Sequence, residues 1–305
     1  DINQRLLVSK FINNLADKET AVMVVEHDIV MLDHMTDHLH LVYGKPIAYG
    51  ITSMVKATRN GINMFLDGYI RDENMRFRNN AIHFLSKPPT SNVDLPTLVS
   101  WKGIEVDHHK FSLKAPDGFL RKREIVGVLG ENGIGKTTFV KVLAKVLEAK
   151  SGTLSDDVKV SYKPQYLDSA NDDLVASLMG EAVKKYQTLV IDPLEIEPLM
   201  LKQINQLSGA ELQRVAICAA LSHDADLYLL DEPSAYLDVE QRLNVSKVIR
   251  DFRDFTERTI LVVDHDVVFI DYLSDRVIVF TGDPGREGLV NGPYDLEKGM
   301  NTFLG

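Results

Sequence analysis

An α/β fold with a parallel sheet is predicted by three observations. A buried apolar run, Glu124–Gly130, leads directly into a glycine-rich loop; a second, Leu227–Leu230, ends in two carboxylates; helical periodicity follows the first and precedes the second. The composition agrees, since 305 residues with 45% hydrophobic side chains are ordinary for a globular protein. Disorder and collagen-like repetition are excluded. With 34 basic against 44 acidic side chains the formal charge is -10, so bulk charge does not hold the chain to nucleic acid or an anionic membrane. The single cysteine, Cys218, rules out a disulfide framework and any cysteine-built zinc or iron–sulfur site within these residues; it reads as a small buried residue in a reducing, cytoplasmic setting. No membrane span is expected, because the most apolar stretch, Thr259–Ile270, is interrupted by Asp264, His265 and Asp266.

The chain repeats itself. Asp1–Ile12 returns as Asp238–Ile249 with eight of twelve positions identical, and Val24-Val-Glu-His-Asp-Ile-Val30 returns as Val262-Val-Asp-His-Asp-Val-Val268. At the same spacing Gly44 meets Gly282, Gly50 meets Gly288, and Gly61–Leu66 meets Gly299–Leu304. One whole unit and the end of another are therefore expected. The absence of an initiator Met and of a signal peptide fits a cut from a longer chain.

Within the whole unit, Leu98–Lys102 and Glu105–Asp107 read as two short strands. Gly130-Glu-Asn132-Gly133-Ile-Gly135-Lys136-Thr137-Thr138 then satisfies the phosphate-binding pattern G-x-x-x-x-G-K-[ST], which by composition arises by chance in such a chain about one time in a hundred. Its glycines let backbone N–H groups converge on phosphates, Lys136 reaches the outer phosphates, and the Thr137 hydroxyl suits Mg²⁺. A helix follows with Phe139, Leu143, Val146 and Leu147 on one face, and Ser151–Gly152 is expected to stop it.

Ser208-x-x-Glu211 is a capping box opening a helix that carries Leu212, Val215, Ala216 and Ala219, with Gly209 beside the cap. Such an N-terminus is a second anion site that calls for a facing domain. Leu227–Leu230 ends in Asp231-Glu232, at a strand's carboxyl end where ligands of parallel sheets bind. A lone Asp-Glu pair is more often a solvated turn; after a phosphate loop, Asp231 suits a metal holder and Glu232 a base that polarises water.

Gly130–Thr138, Gln165 in Tyr162-Lys163-Pro164-Gln165, Leu207–Arg214, Leu229–Ser234, the Tyr236-Leu237-Asp238 turn and His265 together resemble the ordered motifs of an ABC-type ATPase domain. More narrowly, Gly133–Phe139, Asp231-Glu-Pro-Ser-Ala-Tyr-Leu-Asp238-x-Glu-Gln-Arg242 and the two Gly-x-Asn-x-Phe-Leu segments resemble the ribosome-recycling ATPases of ABC subfamily E, the RNase L inhibitor family, in their C-terminal portion. The resemblance implies a P-loop NTPase fold, with a RecA-like core, a β-subdomain and a helical subdomain. It divides the chain into 1–44, the remnant of a first nucleotide-binding domain; 45–95, a hinge and linker; 96–282, a complete second domain; and 283–305, the start of a second hinge.

The same resemblance implies Mg²⁺ and ATP as cofactors, with iron–sulfur clusters only in an N-terminal region outside these residues. Gln165 would sense Mg²⁺ and the attacking water, His265 would contact the γ-phosphate, and Asp238 would cross to the facing domain, where Ser208, Gly209 and Glu211 also act. His27 matches His265 and would serve the first domain. Phe111 matches an adenine-stacking aromatic, and as a core strand residue it is nearly as well explained. The implied partners are the small ribosomal subunit and its RNA through the hinges, a termination or release factor, and the first nucleotide-binding domain of the same chain, with no membrane. Hydrolysis would drive domain closure that splits ribosomes. A tandem ABC-type translation factor, a transporter ATPase subunit, or a binding module inactive without a facing domain are the rival readings.

Two departures from the family pattern stand out: Ala210 where a second glycine is usual, and Glu131 where proline is common, the latter adding negative charge near phosphates. Residues 45–90 carry Lys45, Lys56, Arg59, Arg71, Arg76, Arg78 and Lys87 against Asp67, Asp72 and Glu73, a net of +4 (7 - 3) that leaves -14 elsewhere. Interleaved with Phe65, Tyr69 and Phe77, this stretch reads either as a solvated linker or as an RNA-backbone contact with aromatics free to stack. His34 and His38 have metal-ligand spacing, but their repeat counterparts are Tyr272 and Arg276, so a surface pair is expected. Trp101 reads as strand packing.

Overall fold

The computed structural model describes residues 2–26, 28–45, 48–78, 81–82, 95–108, 111–155, 158–165, 171–179 and 185–304. It divides into two compact units, residues 1–87 with 238–240 and residues 88–237 with 241–305.

The first unit contains α1 (Ile2–Leu15), α2 (Ile29–Met35), β1 (His38–Leu39), β2 (Val42–Lys45), β3 (Tyr49–Thr52), β4 (Lys56–Ala57), α3 (Thr58–Asp67), β5 (Tyr69–Ile70) and β6 (Met75–Arg76). Its strands pair as β1 with β4, β2 with β3 and β5 with β6, all antiparallel. The β2–β3 pairing joins Val42–Lys45 to Tyr49–Thr52 within this unit.

The second unit contains β7 (Thr97–His108), β8 (Phe111–Ala115), β9 (Gly118–Arg121), β10 (Ile125–Leu129), α4 (Lys136–Leu143), β11 (Ser151–Leu154), β12 (Val160–Lys163), α5 (Val175–Met179), α6 (Gly209–Ser222), β13 (Leu227–Asp231), α7 (Val239–Thr256), β14 (Thr259–Val263), α8 (Val267–Leu273), β15 (Arg276–Asp283), β16 (Glu287–Asp295) and α9 (Leu296–Leu304). One sheet runs β11-β7-β8-β16-β15-β10-β14-β13-β12, with β9 beside β7. The strands β15, β10, β14, β13 and β12 are mutually parallel. Because both faces are covered, β10 is apolar throughout and β13 and β14 nearly so, and alternate residues feed two cores. Ile125, Leu230, Ile260 and Val262 face the core shared with α6, α7 and α8, whereas Val126, Leu229, Leu261 and Val263 face the one shared with Phe139 of α4 and Trp101 of β7. Trp101 is 1% exposed and meets Phe139 edge-on at 5.2 Å.

Two regions differ from the sequence expectation. The two short strands before residue 108 are one strand, β7, which continues through Gly103 because that residue takes φ +53 and absorbs the irregularity. The helix behind the phosphate loop ends at Leu143 rather than near Ser151–Gly152. Lys145 adopts φ +57, the Lys145 amide donates to the Val142 carbonyl and the Val146 amide to the Lys141 carbonyl, a Schellman closure that leaves Val146 exposed. Ser151–Leu154 is a strand. At the end of the second unit, β16 lies between β15 and β8, and Leu296, Met300 and Phe303 of α9 rest on its core.

The internal repeat is present in the structure as well. Gly44 pairs with Gly50 across β2–β3, and Gly282 with Gly288 across β15–β16. His38 pairs with Ala57, and Arg276 with Asp295. Asp28 and Asp266 each cap the helix that follows through a side-chain oxygen. Yet Val8, Phe11 and Leu15 of α1 are exposed, whereas their counterparts Val245, Val248 and Phe252 in α7 are buried.

Candidate functional site

Four adjacent parallel strands deliver the predicted residues from their carboxyl ends: the phosphate loop after β10, Gln165 after β12, Asp231 and Glu232 from β13, and His265 after β14. In the loop, Gly133 and Gly135 take φ +78 and +98, conformations that a side chain would strain. Gly135 caps α4 and has no side chain to occupy the first-turn amides, which leaves them to an anion. Lys136 is 7% exposed, and its Nζ donates to the carbonyls of Gly130 (2.7 Å) and Glu131 (2.8 Å). Burial pushes the Lys136 pKa down, opposed by the charges of Glu232, Asp231, Asp264 and Glu131. Asn132 and Glu131 are exposed, Thr137 and Thr138 half-buried. The Glu131 side chain thus lies at the solvent edge.

Asp231 is fully buried, and neither carboxylate oxygen has a hydrogen-bond partner among the described residues. Burial raises its carboxyl to about 6, against the opposing influence of the Thr137 hydroxyl and despite Lys163 and Lys136 nearby. An orphaned, buried carboxylate beside a hydroxyl and a phosphate loop is the donor set a hard divalent cation requires, so the residues present fit Mg²⁺. Glu232 follows at φ +49, a left-handed conformation rare outside glycine; its amide donates to the Val263 carbonyl at 2.7 Å, and its carbonyl accepts from Gln213 Nε2. Its side chain is half-buried. Gln165 is half-buried as well.

His265 lies with Nδ1 3.8 Å from Asp264 Oδ1. Asp264, absent from the sequence-based site, organises this corner. It is fully buried and accepts from the Ser234 amide (3.0 Å), the Ser234 hydroxyl (2.8 Å) and the Asp266 amide (3.0 Å), while burial raises its carboxyl. Its position in the repeated block, where the first copy carries the acidic Glu26, was the available signal. Lys163 is a second omission, also buried.

Phe111 is half-buried with its ring against Gly135: a Cβ there would lie 2.6 Å from Phe111 Cζ. The ring therefore borders the phosphate loop while belonging to the core.

Ser208 caps α6, its Oγ accepting from the Glu211 amide at 3.3 Å and its amide donating to Glu211 Oε2 at 2.8 Å, as the capping box predicts. Lys202 also bonds Glu211 and holds its carboxyl below the usual range. Gly209 is exposed on one side and covered by Tyr236 on the other, since an added Cβ would sit 3.2 Å from Tyr236 Cγ. Tyr236 itself takes φ +63 and is 72% exposed, a contact sequence reasoning missed. Ala210 packs at the core edge, and Asp238 is exposed. His27 lies outside the described residues.

In the first unit, two of the three aromatics expected to be free, Phe65 and Phe77, are engaged in packing. Phe77 stacks on Tyr43 (5.5 Å) and Phe65 (6.2 Å) in that unit's own core, and Lys56 is buried against Asp72 and Glu73. Arg59, Arg71 and Arg76 remain exposed. His34 and His38 are exposed, and among the described residues no cluster of three or more His, Cys, Asp or Glu could hold a metal. Cys218 is buried, which raises its thiol to about 12. No described helix is long and apolar enough to cross a membrane.

Residues 113–235 match the family described as ABC transporter. The whole chain is 47% identical over 310 residues to an uncharacterized ABC transporter ATP-binding protein of Methanocaldococcus jannaschii, covering 51% of it, and 39% identical over 313 residues to translation initiation factor RLI1 of Saccharomyces cerevisiae, covering 52%. The chain thus spans about half the length of these curated relatives. It is 42% identical over 154 residues to ABC transporter E family member 3 of Arabidopsis thaliana, a match with 47% of this chain and 85% of that protein. Among solved structures, the RNase-L Inhibitor superposes with a TM-score of 0.90 at 47% identity, covering 100% of this chain and 60% of that one. ABCE1 in a model of ribosome-bound archaeal Pelota and ABCE1 does so with 0.92 at 49%, covering 100% and 52%. With this site and these relatives, the chain belongs to the E family of ABC-type ATPases.

Proposed function

We propose that the second unit binds and hydrolyses Mg²⁺-ATP. The carrying observation is Asp231, a buried carboxylate at the strand end next to the phosphate loop and the Thr137 hydroxyl, whose oxygens have no hydrogen-bond partner among the described residues. Bound Mg²⁺ supplies charge neutralisation on the phosphates. Thr137 and Asp231 hold it with Gln165, Lys136 and the loop amides bind phosphate oxygens, and Phe111 borders the base. Glu232 orients water for in-line attack on the γ-phosphate, with His265 at the phosphate and Asp264 fixing the loop beneath it. Glu232→Gln is expected to slow turnover about 10²- to 10⁴-fold while nucleotide affinity persists; lost affinity would contradict the role. Lys136→Ala should abolish binding of a fluorescent nucleotide.

The domain reading is that 1–44 close a first ATPase domain, 45–95 are hinge and linker, and 283–305 begin a matching hinge. It is supported by α1, which exposes Phe11 (64%) and Leu15 (47%) where α7 buries Val248 and Phe252, and by exposed Met23 and Val25 where Leu261 and Val263 are interior strand residues. A facing domain would present its own signature to the loop at Lys136, and accept Ser208, Gly209, Glu211 and Asp238 in return, with His27 serving the other site. Closure of the two domains on ATP would work on ribosomal subunits in the cytoplasm. The names of the relatives support this, one a translation initiation factor and another described together with Pelota as ribosome-bound. So does exposed Arg59, Arg71 and Arg76 as a surface for RNA. Co-sedimentation with small ribosomal subunits should increase with a non-hydrolysable ATP analogue; no binding in either state would refute the ribosomal part. Turnover of the chain alone, against turnover with the complementary half added, separates a self-sufficient ATPase from one needing the facing domain.

A further inference from the structure

Lys163 is 1% exposed, among the largest wholly buried side chains, and closes a strand whose paired neighbour, Leu230, is apolar. Burying an ammonium costs several kcal/mol unless it is well bonded. Its partners are two backbone carbonyls. Nζ donates to the Asp231 carbonyl at 2.7 Å and to the Pro164 carbonyl at 3.1 Å. The first oxygen belongs to the peptide unit joining Asp231 to Glu232, and the second to the one joining Pro164 to Gln165. One ammonium thus clamps the two peptide units from which the proposed water-orienting and metal-sensing side chains emerge, on adjacent strands.

The side of the sheet matters. Tyr162 and Val160 pack in the core that contains Phe139 of α4, the helix after the phosphate loop. Ser161, two residues before Lys163 and on its face, donates instead to the Ala220 carbonyl of α6. Lys163 therefore approaches from behind the strands, away from α4, and is not placed to bind phosphate. The Glu232 backbone it steadies is at φ +49, a conformation that costs about 1–3 kcal/mol and needs its surroundings to hold it. Asp231, Asp264 and Glu232 all attract the ammonium, and burial lowers its pKa to about 8.

We propose that Lys163 is a positioning residue of the nucleotide site, whose ammonium sets the ends of β12 and β13 so that Gln165 and the Asp231–Glu232 pair converge on one metal–nucleotide complex. This rests on the Mg²⁺-nucleotide reading above. Replacing Lys163 by methionine keeps the unbranched apolar stem, one atom shorter, and removes the donor.

The test measures affinity of the chain for a fluorescent ATP analogue in EDTA and in Mg²⁺, with thermal unfolding as a folding check. For Lys163→Met the metal-free affinity is expected to stay unchanged, because the phosphate loop is untouched, while the gain conferred by Mg²⁺ falls about tenfold, the lower end for loss of a supporting contact to a metal site. Should that variant not fold, Lys163→Gln, which keeps a shorter donor, carries the same comparison. An unchanged gain overturns the inference. So does an increased gain, which would make Lys163 only a counter-charge that competes with the metal. Wild-type chain that gains nothing from Mg²⁺, or Asp231→Asn that keeps the full gain, would instead refute the underlying metal-site reading.

Discussion

At the scale of single residues, the site carries destabilising chemistry. Asp231 has its carboxyl raised to about 6 from 3.8 by burial, so between about pH 4 and pH 6 the native state holds a proton that the unfolded chain has lost. Stability from this group therefore falls as pH rises through that window, by up to about 3 kcal/mol at neutral pH. Without metal, Asp231→Asn is expected to raise the Tm at pH 7 and to flatten the dependence between about pH 4 and pH 6. With Mg²⁺-nucleotide the order should reverse, since the wild type gains the metal-dependent part of the binding energy that the variant lacks. A lower Tm for the variant in EDTA would show that the carboxylate is compensated in a way the structure does not contain.

Whole elements are held by close approach. The repeated glycines of α3 and α9 sit over equivalent strand residues: a Cβ on Gly61 would lie 2.4 Å from Leu39 Cδ1, and one on Gly299 1.9 Å from Val277 Cγ2. In an exposed helix, glycine to alanine stabilises by about 1 kcal/mol. Here both substitutions should destabilise, by about 1–3 kcal/mol for overpacking. Gly299→Ala should cost more, because Val277 is β-branched and fully buried, whereas Leu39 is half-buried and its terminal methyl can turn away. Thermal unfolding of the two variants gives the ranking. Partial recovery on adding Val277→Ala to Gly299→Ala would assign the cost to that contact, and no recovery would place it elsewhere.

Across the molecule, burial is uneven between two copies of one pattern. The face of α1 leaves Leu7, Val8, Phe11 and Leu15 exposed, an apolar stripe of the kind that marks an interface. A hydrophobic dye is expected to bind the chain there. Phe11→Glu should cut the dye signal severalfold and leave affinity of the second unit for nucleotide unchanged, because Phe11 lies in the other compact unit. If dye binding survives, the exposed apolar surface that matters lies on another element.

The amino-acid sequence by itself determined what depends on near neighbours. The phosphate loop, the capping box at Ser208 and Glu211, the carboxylates after Leu230 and the repeat are all local spacings, and spacing fixes which backbone groups and side chains share a turn or strand end. Where a helix stops or strands merge depends on single φ values, which is why Gly103 joined two expected strands and Lys145 shortened the helix behind the loop. Tertiary structure alone decided the rest. Lys163 meets the Asp231 carbonyl only because β12 lies beside β13, Asp264 meets Ser234 across thirty residues, and Tyr236 covers Gly209 because its turn lies over the start of α6. The same long-range packing buries Lys56 and leaves Phe65 and Phe77 half-buried against the first unit's core. Strand order and side-chain burial are set by free energies summed over the whole core, and no local pattern contains that sum.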